Sequence, residues 1–186
     1  MASQAQYGDI INWDVSVGID KDSENPMMGV EYAKAFADKY FIPHLKLSHP
    51  PVLAQLKTLG YPNYKVKSGA IYMGYTVNKY IVELPNGVTL FFDYNGNSIL
   101  NTYTLPIIFV DINGKQGPNI VGKDFFLFQF ELTSSKKLSL IGSSWKRDRL
   151  KELCLDKATD GNGFGSIYCG TLIFVDGWRM KDDYPW

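Results

Sequence analysis

From residue 64 onward the chain is dominated by aromatic and β-branched residues, broken by Gly or Asn clusters at intervals of about ten residues. That pattern predicts short antiparallel strands joined by turns, because branched and aromatic side chains pack well on a pleated surface while Gly and Asn tolerate turn geometry. Residues 79–84 and 88–94 alternate, with Tyr80, Val82 and Leu84 on one face of the first strand and Val88, Leu90 and Phe92 on the second. Pro85-Asn86-Gly87 joins them, and Gly87 supplies the positive φ of a short hairpin loop. Asn95-Gly96-Asn97 marks the next turn. Residues 102–110 form the expected third strand and residues 125–132 the fourth, whose apolar side chains predict burial by a helix.

The helix precedes the strands. Asn25-Pro26 offers an N-cap followed by proline at the first helical position, where its missing N–H costs nothing. Val30, Ala33, Ala37 and Tyr40 then recur at three- and four-residue spacing, with Glu31, Lys34, Asp38 and Lys39 on other faces, so an amphipathic helix is expected over 27–42. Pro43 and Pro50-Pro51 interrupt it, and residues 52–59 read as a short second helix stopped by Gly60 and Pro62. The first 25 residues are polar and turn-rich, with Ile10, Ile11 and Trp13 as anchors, and read as an irregular lead-in. A helix followed by an antiparallel meander is an α+β arrangement, expected as one domain over 1–186.

Composition excludes several classes. With 45% apolar residues and 19 acidic side chains balanced by 19 basic ones, the chain is not a charge-driven disordered segment. Zero formal charge provides no whole-molecule attraction to nucleic acid or anionic lipid. Its apolar runs fall far short of the roughly 20 residues that span a bilayer, so the chain reads as soluble. No charged-then-apolar leader is visible, and Met1-Ala2-Ser3 reads as an added start from which native sequence has been removed.

The most chemically suggestive stretch is residues 111–124, where oxygen-bearing side chains alternate with glycines between two apolar strands. Asp111, Asn113, Asn119 and Asp124 offer side-chain oxygens, and Lys115 or Gln116 offer backbone carbonyls, a donor set suited to Ca²⁺. It is not an EF-hand: counting from Asp111, the sixth position is Gln116 where glycine is required, and the twelfth is Gly122 where a bidentate glutamate belongs. The competing reading is a glycine-rich strand connection whose Asp and Asn residues cap turns. Calcium is preferred to zinc because no thiolate or imidazole lies nearby.

Cys154 and Cys169 flank a polar, glycine-rich stretch and are expected to pair in an oxidising compartment, stabilising by about 3 kcal/mol on the chain-entropy model. Two separate buried thiols are the alternative. His44 and His49 lie beside prolines and fit neither a catalytic nor a metal-ligand spacing. No phosphate-binding glycine loop, nucleophile elbow or kinase signature is present; a hydrolase built on two of the 19 acidic residues meeting in the fold stays open as an alternative, and the chain is expected not to be an enzyme. Tyr72, Tyr75, Tyr80, Tyr94 and Tyr103 could form a carbohydrate-binding face, although alternating aromatics are more often cross-strand pairs.

Four stretches together resemble the soluble domain of bacterial type IV pilins and of the pseudopilins of type II secretion. Residues 35–46 are similar to the end of the long pilin helix entering the head, and residues 111–124 follow the Asp-x-Asn-Gly-x-x-Gly-Pro-Asn-x-x-Gly-x-Asp pattern of many pilin-like sequences. The late cysteine pair is similar to the pilin C-terminal loop disulfide, and Gly177-Trp178 with Tyr184-Pro185-Trp186 resembles the ending of such proteins. The resemblance implies a helix laid on an antiparallel sheet with a disulfide-closed C-terminal loop region. It also implies a place in the bacterial cell envelope or outside the cell, other subunits as partners, and membrane contact only through an apolar N-terminal helix ahead of this sequence. Some pseudopilins bind calcium in a loop needed for assembly. The expected function is therefore a structural fibre subunit with Ca²⁺ at Asp111, Asn113, Lys115, Asn119 and Asp124, and a Cys154–Cys169 staple. A secreted glycan-binding module is the alternative.

Overall fold

The computed structural model describes residues 30–66, 69, 71–73, 78–94, 106–132, 138–157 and 165–185. The irregular lead-in, the Asn25-Pro26 cap and the Asn95-Gly96-Asn97 turn lie outside them.

The architecture is α+β. Six strands, β1 (Val52–Gln55), β4 (Asn78–Glu83), β5 (Thr89–Tyr94), β6 (Pro106–Asp111), β8 (Phe125–Leu132) and β9 (Leu138–Leu140), form an antiparallel sheet in the order β1-β4-β5-β6-β8-β9. A smaller sheet holds β2 (Tyr64–Lys65) between β3 (Ile71–Met73) and β7 (Asn119–Ile120), with β2 and β7 parallel. The hairpin of β4 and β5 forms as expected, and Gly87 has φ +86°.

Two-residue alternation divides the large sheet between two cores. Tyr80, Phe92, Ile108 and Phe128 fall in one cross-strand row, and Ile81, Phe91, Phe109 and Leu127 in the next, facing the opposite way. The first face is covered by helix α1 (Val30–Tyr40), whose Ala33 and Ala37 are fully buried against Tyr80, Val82, Phe92 and Ile108. Alanine at both contact points brings the helix axis close to the strands, and Tyr32 and Phe36 fill in beside them. The second face packs against Leu56, Tyr61, Tyr64, Val66 and Val121. Full burial of Phe91 and Phe92, one on each face, contributes on the order of 2–3 kcal/mol apiece.

Three expectations are corrected here. Residues 52–59 are not a helix: Val52–Gln55 pairs with β4 as an edge strand, and only Leu56–Leu59 turns as a 3-10 helix ending at Gly60. The open hydrogen-bonding edge of β4, together with the extended backbone that Pro50-Pro51 imposes, outweighs local helical spacing. Secondly, helical structure is not confined to the start of the chain. Helices α2 (Arg147–Lys157) and α3 (Gly165–Val175) pack on each other and α3 packs on β8, burying Phe126 with Leu150 and Leu172. Thirdly, β8 is buried on both faces, with Phe125 and Leu127 turned from the helices toward the second core.

Gly170 makes the seat of α3 possible. A Cβ at this position would lie 2.4 Å from the Leu127 carbonyl oxygen, so the helix backbone rests directly on the strand.

Candidate functional site

At one end of the sheet the register row across β4, β5 and β6 is polar: Glu83 faces Thr89, and Thr89 faces Asp111. Asp111, the last residue of β6, is completely buried. One oxygen, Oδ1, accepts the backbone N–H groups of Asn113 at 3.0 Å and Gly114 at 2.8 Å. The other, Oδ2, accepts the Tyr64 hydroxyl at 2.6 Å and Asn119 Nδ2 at 2.8 Å. Four donors therefore converge on one carboxylate, which folds the chain back on itself as a short acidic side chain does at a turn.

The glycines and asparagines complete this closure. Gly114 has φ +54°, and a Cβ there would lie 2.7 Å from the Gly87 carbonyl oxygen, so the loop abuts the β4–β5 turn through bare backbone. Asn119 Nδ2 also donates to the Gly114 carbonyl at 2.9 Å, and Asn113 Nδ2 donates to that of Pro118 at 3.0 Å. The Gly117-Pro118 peptide is cis, and the Ile112 N–H donates to the Asp124 carbonyl, joining the two ends of the loop.

Burial pushes the Asp111 carboxyl up to about 6, against the opposing pull of its hydrogen bonds from Tyr64, Gly114 and Asn113, while the charge of Asp124 adds to the rise. Burial also raises the Tyr64 hydroxyl, and the adjacent Asp111 charge raises it further. Beside this centre Tyr61 donates to Glu83 at 2.8 Å and accepts from Thr89 at 3.2 Å. Lys115 Nζ meets Glu83 at 2.7 Å and lies over the Tyr61 ring, and its hydrogen bond holds the Glu83 carboxyl below its ordinary value.

Of the five expected ligands, Asp111 and Asn119 touch, Asn113 follows on the same loop, and the Lys115 ammonium turns away to Glu83. Asn119 Oδ1 and Asp124 Oδ2 are buried and, among the described residues, have no hydrogen-bond partner. Among these residues no group of three or more His, Cys, Asp or Glu side chains gathers in a metal-like cluster. Sequence reasoning missed Tyr61, Tyr64, Glu83 and Thr89 as parts of this centre. No local signal marks them, because β2 reaches the loop only through its parallel pairing with β7, where Tyr64 faces Asn119.

Cys154 and Cys169 form a disulfide, both fully buried. They lie within α2 and α3, so the bond staples a helix pair where a loop closure was expected. Arg147 then clamps the segment after α3. Its guanidinium donates to Asp176 at 2.7 and 2.9 Å and to Asp183 at 2.8 and 2.6 Å. Lys181 and Lys151 add contacts of 3.0 Å to Asp176 and Asp183. These donors lower the Asp176 carboxyl and hold that of Asp183 well below the usual range, Arg147 contributing most.

Tyr80, one of the five tyrosines considered for a carbohydrate face, is buried beneath α1 and donates to Asp38, which corrects that part of the set. Tyr75, Tyr103 and the side chains of Tyr72 and Tyr94 lie outside the described part. His44 and His49 are both exposed. No helix among the described residues is long and apolar enough to cross a membrane.

A family model described as a family of unknown function (DUF6613) matches residues 1–186. The chain belongs to DUF6613. No curated protein and no solved structure matches it.

Proposed function

We propose that the chain is a structural subunit, the head of a pilin-like or pseudopilin-like protein that works by assembly into an envelope fibre and not by catalysis. The observation that carries this reading is the way α2, α3 and the segment after them are pinned: a buried disulfide between α2 and α3 and an Arg147 clamp on both Asp176 and Asp183. A subunit that presents a fixed surface to its neighbours benefits from such pinning, because ordering mobile segments during assembly costs free energy. Helix α1 laid on an antiparallel sheet agrees with the same reading. Its partners are further subunits, and nucleic acid is not among them. Immunogold labelling of envelope preparations with an antibody to this domain tests it. Label repeating along filaments is expected, and label absent from every filament and envelope fraction would overturn the proposal.

The proposal includes Ca²⁺ on the loop, held by Asp111, Asn113, the Lys115 carbonyl, Asn119 and Asp124. An all-oxygen donor set and the two buried, unpartnered oxygens of Asn119 and Asp124 favour a hard cation. Asp111 reaches an ion only by releasing one of its four donors, so Tyr64 and Asn119 compete with the metal. Thermal melting of the full chain in millimolar calcium and in chelator is the test: calcium raises the midpoint if it binds the native state, and an identical midpoint at saturating ion would remove Ca²⁺ from the proposal.

A further inference from the structure

We propose that the C-terminal segment, residues 176–185, is a latch that couples opening of the 119–124 loop to its own release from the stapled helix pair, with Tyr184 and Arg147 as its two fasteners. The proposal stands apart from the fibre reading and rests on contacts that join segments far apart in sequence.

Tyr184 is the first fastener. Its ring is buried in the core of α2 and α3 with Leu150, Cys154, Cys169 and Leu172, while its hydroxyl passes through that core to donate to the Gly122 carbonyl at 2.7 Å. Gly122 is itself buried, with φ +84°, and lies two residues before Asp124. One side chain thus belongs simultaneously to the helix pair and to the loop that closes on Asp111. If the hydroxyl is withdrawn, a buried carbonyl loses its side-chain donor; if the loop moves, the hydroxyl is left in an apolar core. Each event makes the other easier, which is the condition for reciprocal coupling.

Arg147 is the second fastener. It holds the two ends of the same segment, Asp176 and Asp183, from the first turn of α2. Between these anchors the chain carries Trp178 at φ +62°, in the left-handed region that a bulky side chain avoids. The Trp178 ring rests against Phe128 and Phe174, yet over half of the residue stays exposed, as does about half of Met180. A backbone position of this kind persists only where its surroundings impose it, and the Arg147 clamp supplies that constraint. The state of the 119–124 loop is thereby transmitted to the exposed surface of Val175, Trp178 and Met180.

Amide hydrogen exchange on the oxidised full chain tests the latch. The reporters are the amides of Val121, Gly122, Lys123 and Asp124 on the loop, and of Asp176, Gly177, Trp178 and Tyr184 on the segment, each donating to a backbone carbonyl. In the unmodified protein both sets are expected to exchange through one opening, with the same sensitivity to low denaturant. Tyr184→Phe keeps the ring and removes only the hydroxyl, and should speed exchange of the loop amides about five- to tenfold. Arg147→Gln should speed exchange of the segment directly and of the loop through Tyr184. In a Tyr184→Phe background the effect of Arg147→Gln on the loop should vanish while its effect on the segment remains. An equal loop response in both backgrounds would mean general destabilisation, and no loop response in either would mean independent segments; both results overturn the latch. If Arg147→Gln fails to fold, Arg147→Lys takes its place, since it keeps the charge and loses the fork.

Discussion

Removing one oxygen, by Tyr64→Phe, probes the centre on Asp111 most directly. The Tyr64 hydroxyl is the shortest of four donors to a carboxylate with no solvent exposure, and the ring itself is fully buried between Phe91 and Phe125. Phenylalanine preserves that packing, so the change reports the hydrogen bond alone. When Asp111 is ionised, losing a bond to a charged group costs about 1.5–3 kcal/mol; when it is protonated, the loss is nearer 1 kcal/mol. Because the carboxyl is pushed up to about 6, the two regimes fall in an accessible pH window.

For an acid raised above its unfolded value of 3.8, the native state binds the extra proton, so this group's contribution is most favourable below about pH 4 and is lost as pH rises through about 6. Keeping Asp111 ionised at pH 7.5 therefore costs on the order of 3 kcal/mol, and Tyr64 is one of the donors that limit the cost. Denaturant melts of both proteins in chelator, at pH 7.5 and pH 5, should show Tyr64→Phe costing about 2 kcal/mol at the higher pH and roughly 1 kcal/mol less at the lower. In thermal melts the pH 7.5 difference corresponds to a midpoint lowered by about 4–8 °C for a chain of this length. A cost that is equal at the two pH values, or greater at pH 5, would refute the assignment of Asp111 as the charged acceptor.

Reduction of the staple, or Cys154→Ala with Cys169→Ala, is expected to lower stability by about 3 kcal/mol through restored freedom of the unfolded chain, and denatured oxidised protein should contain no free thiol at these positions by thiol counting. Gly170→Ala forces a methyl group onto the Leu127 carbonyl, so α3 must lift from β8; a loss above about 2 kcal/mol in denaturant melts is expected despite the better helix propensity of alanine, and a gain would show that the helix is not seated there.

Where local periodicity and global packing agreed, the elements were legible. The hairpin of β4 and β5 carries alternation, a turn glycine and cross-strand aromatics, and β8 lies at the expected bounds. Helix α1 is shorter than the expected 27–42 stretch within the described residues, but its Ala33 and Ala37 face the sheet as their spacing required. Helix α3 was illegible because Gly165-Ser166-Ile167-Tyr168-Cys169-Gly170 begins with glycine and is apolar around its circumference, so it shows no stripe to read. Its glycine at 170 makes sense only against the Leu127 carbonyl.

The amino-acid sequence by itself determined the strands β4, β5 and β8, the turn chemistry of Gly87 and residues 111–124, and the availability of two cysteines to pair. These follow from local backbone preference and side-chain spacing. Tertiary structure alone decided that residues 52–55 extend as an edge strand, that Tyr64 rather than a neighbour in sequence completes the Asp111 centre, and that Tyr184 reaches Gly122. Each depends on groups dozens of residues apart whose burial forces them to satisfy one another. A chain cannot announce such partners locally, because the cost of leaving a hydroxyl or carboxylate unpaired arises only once the core has closed around it.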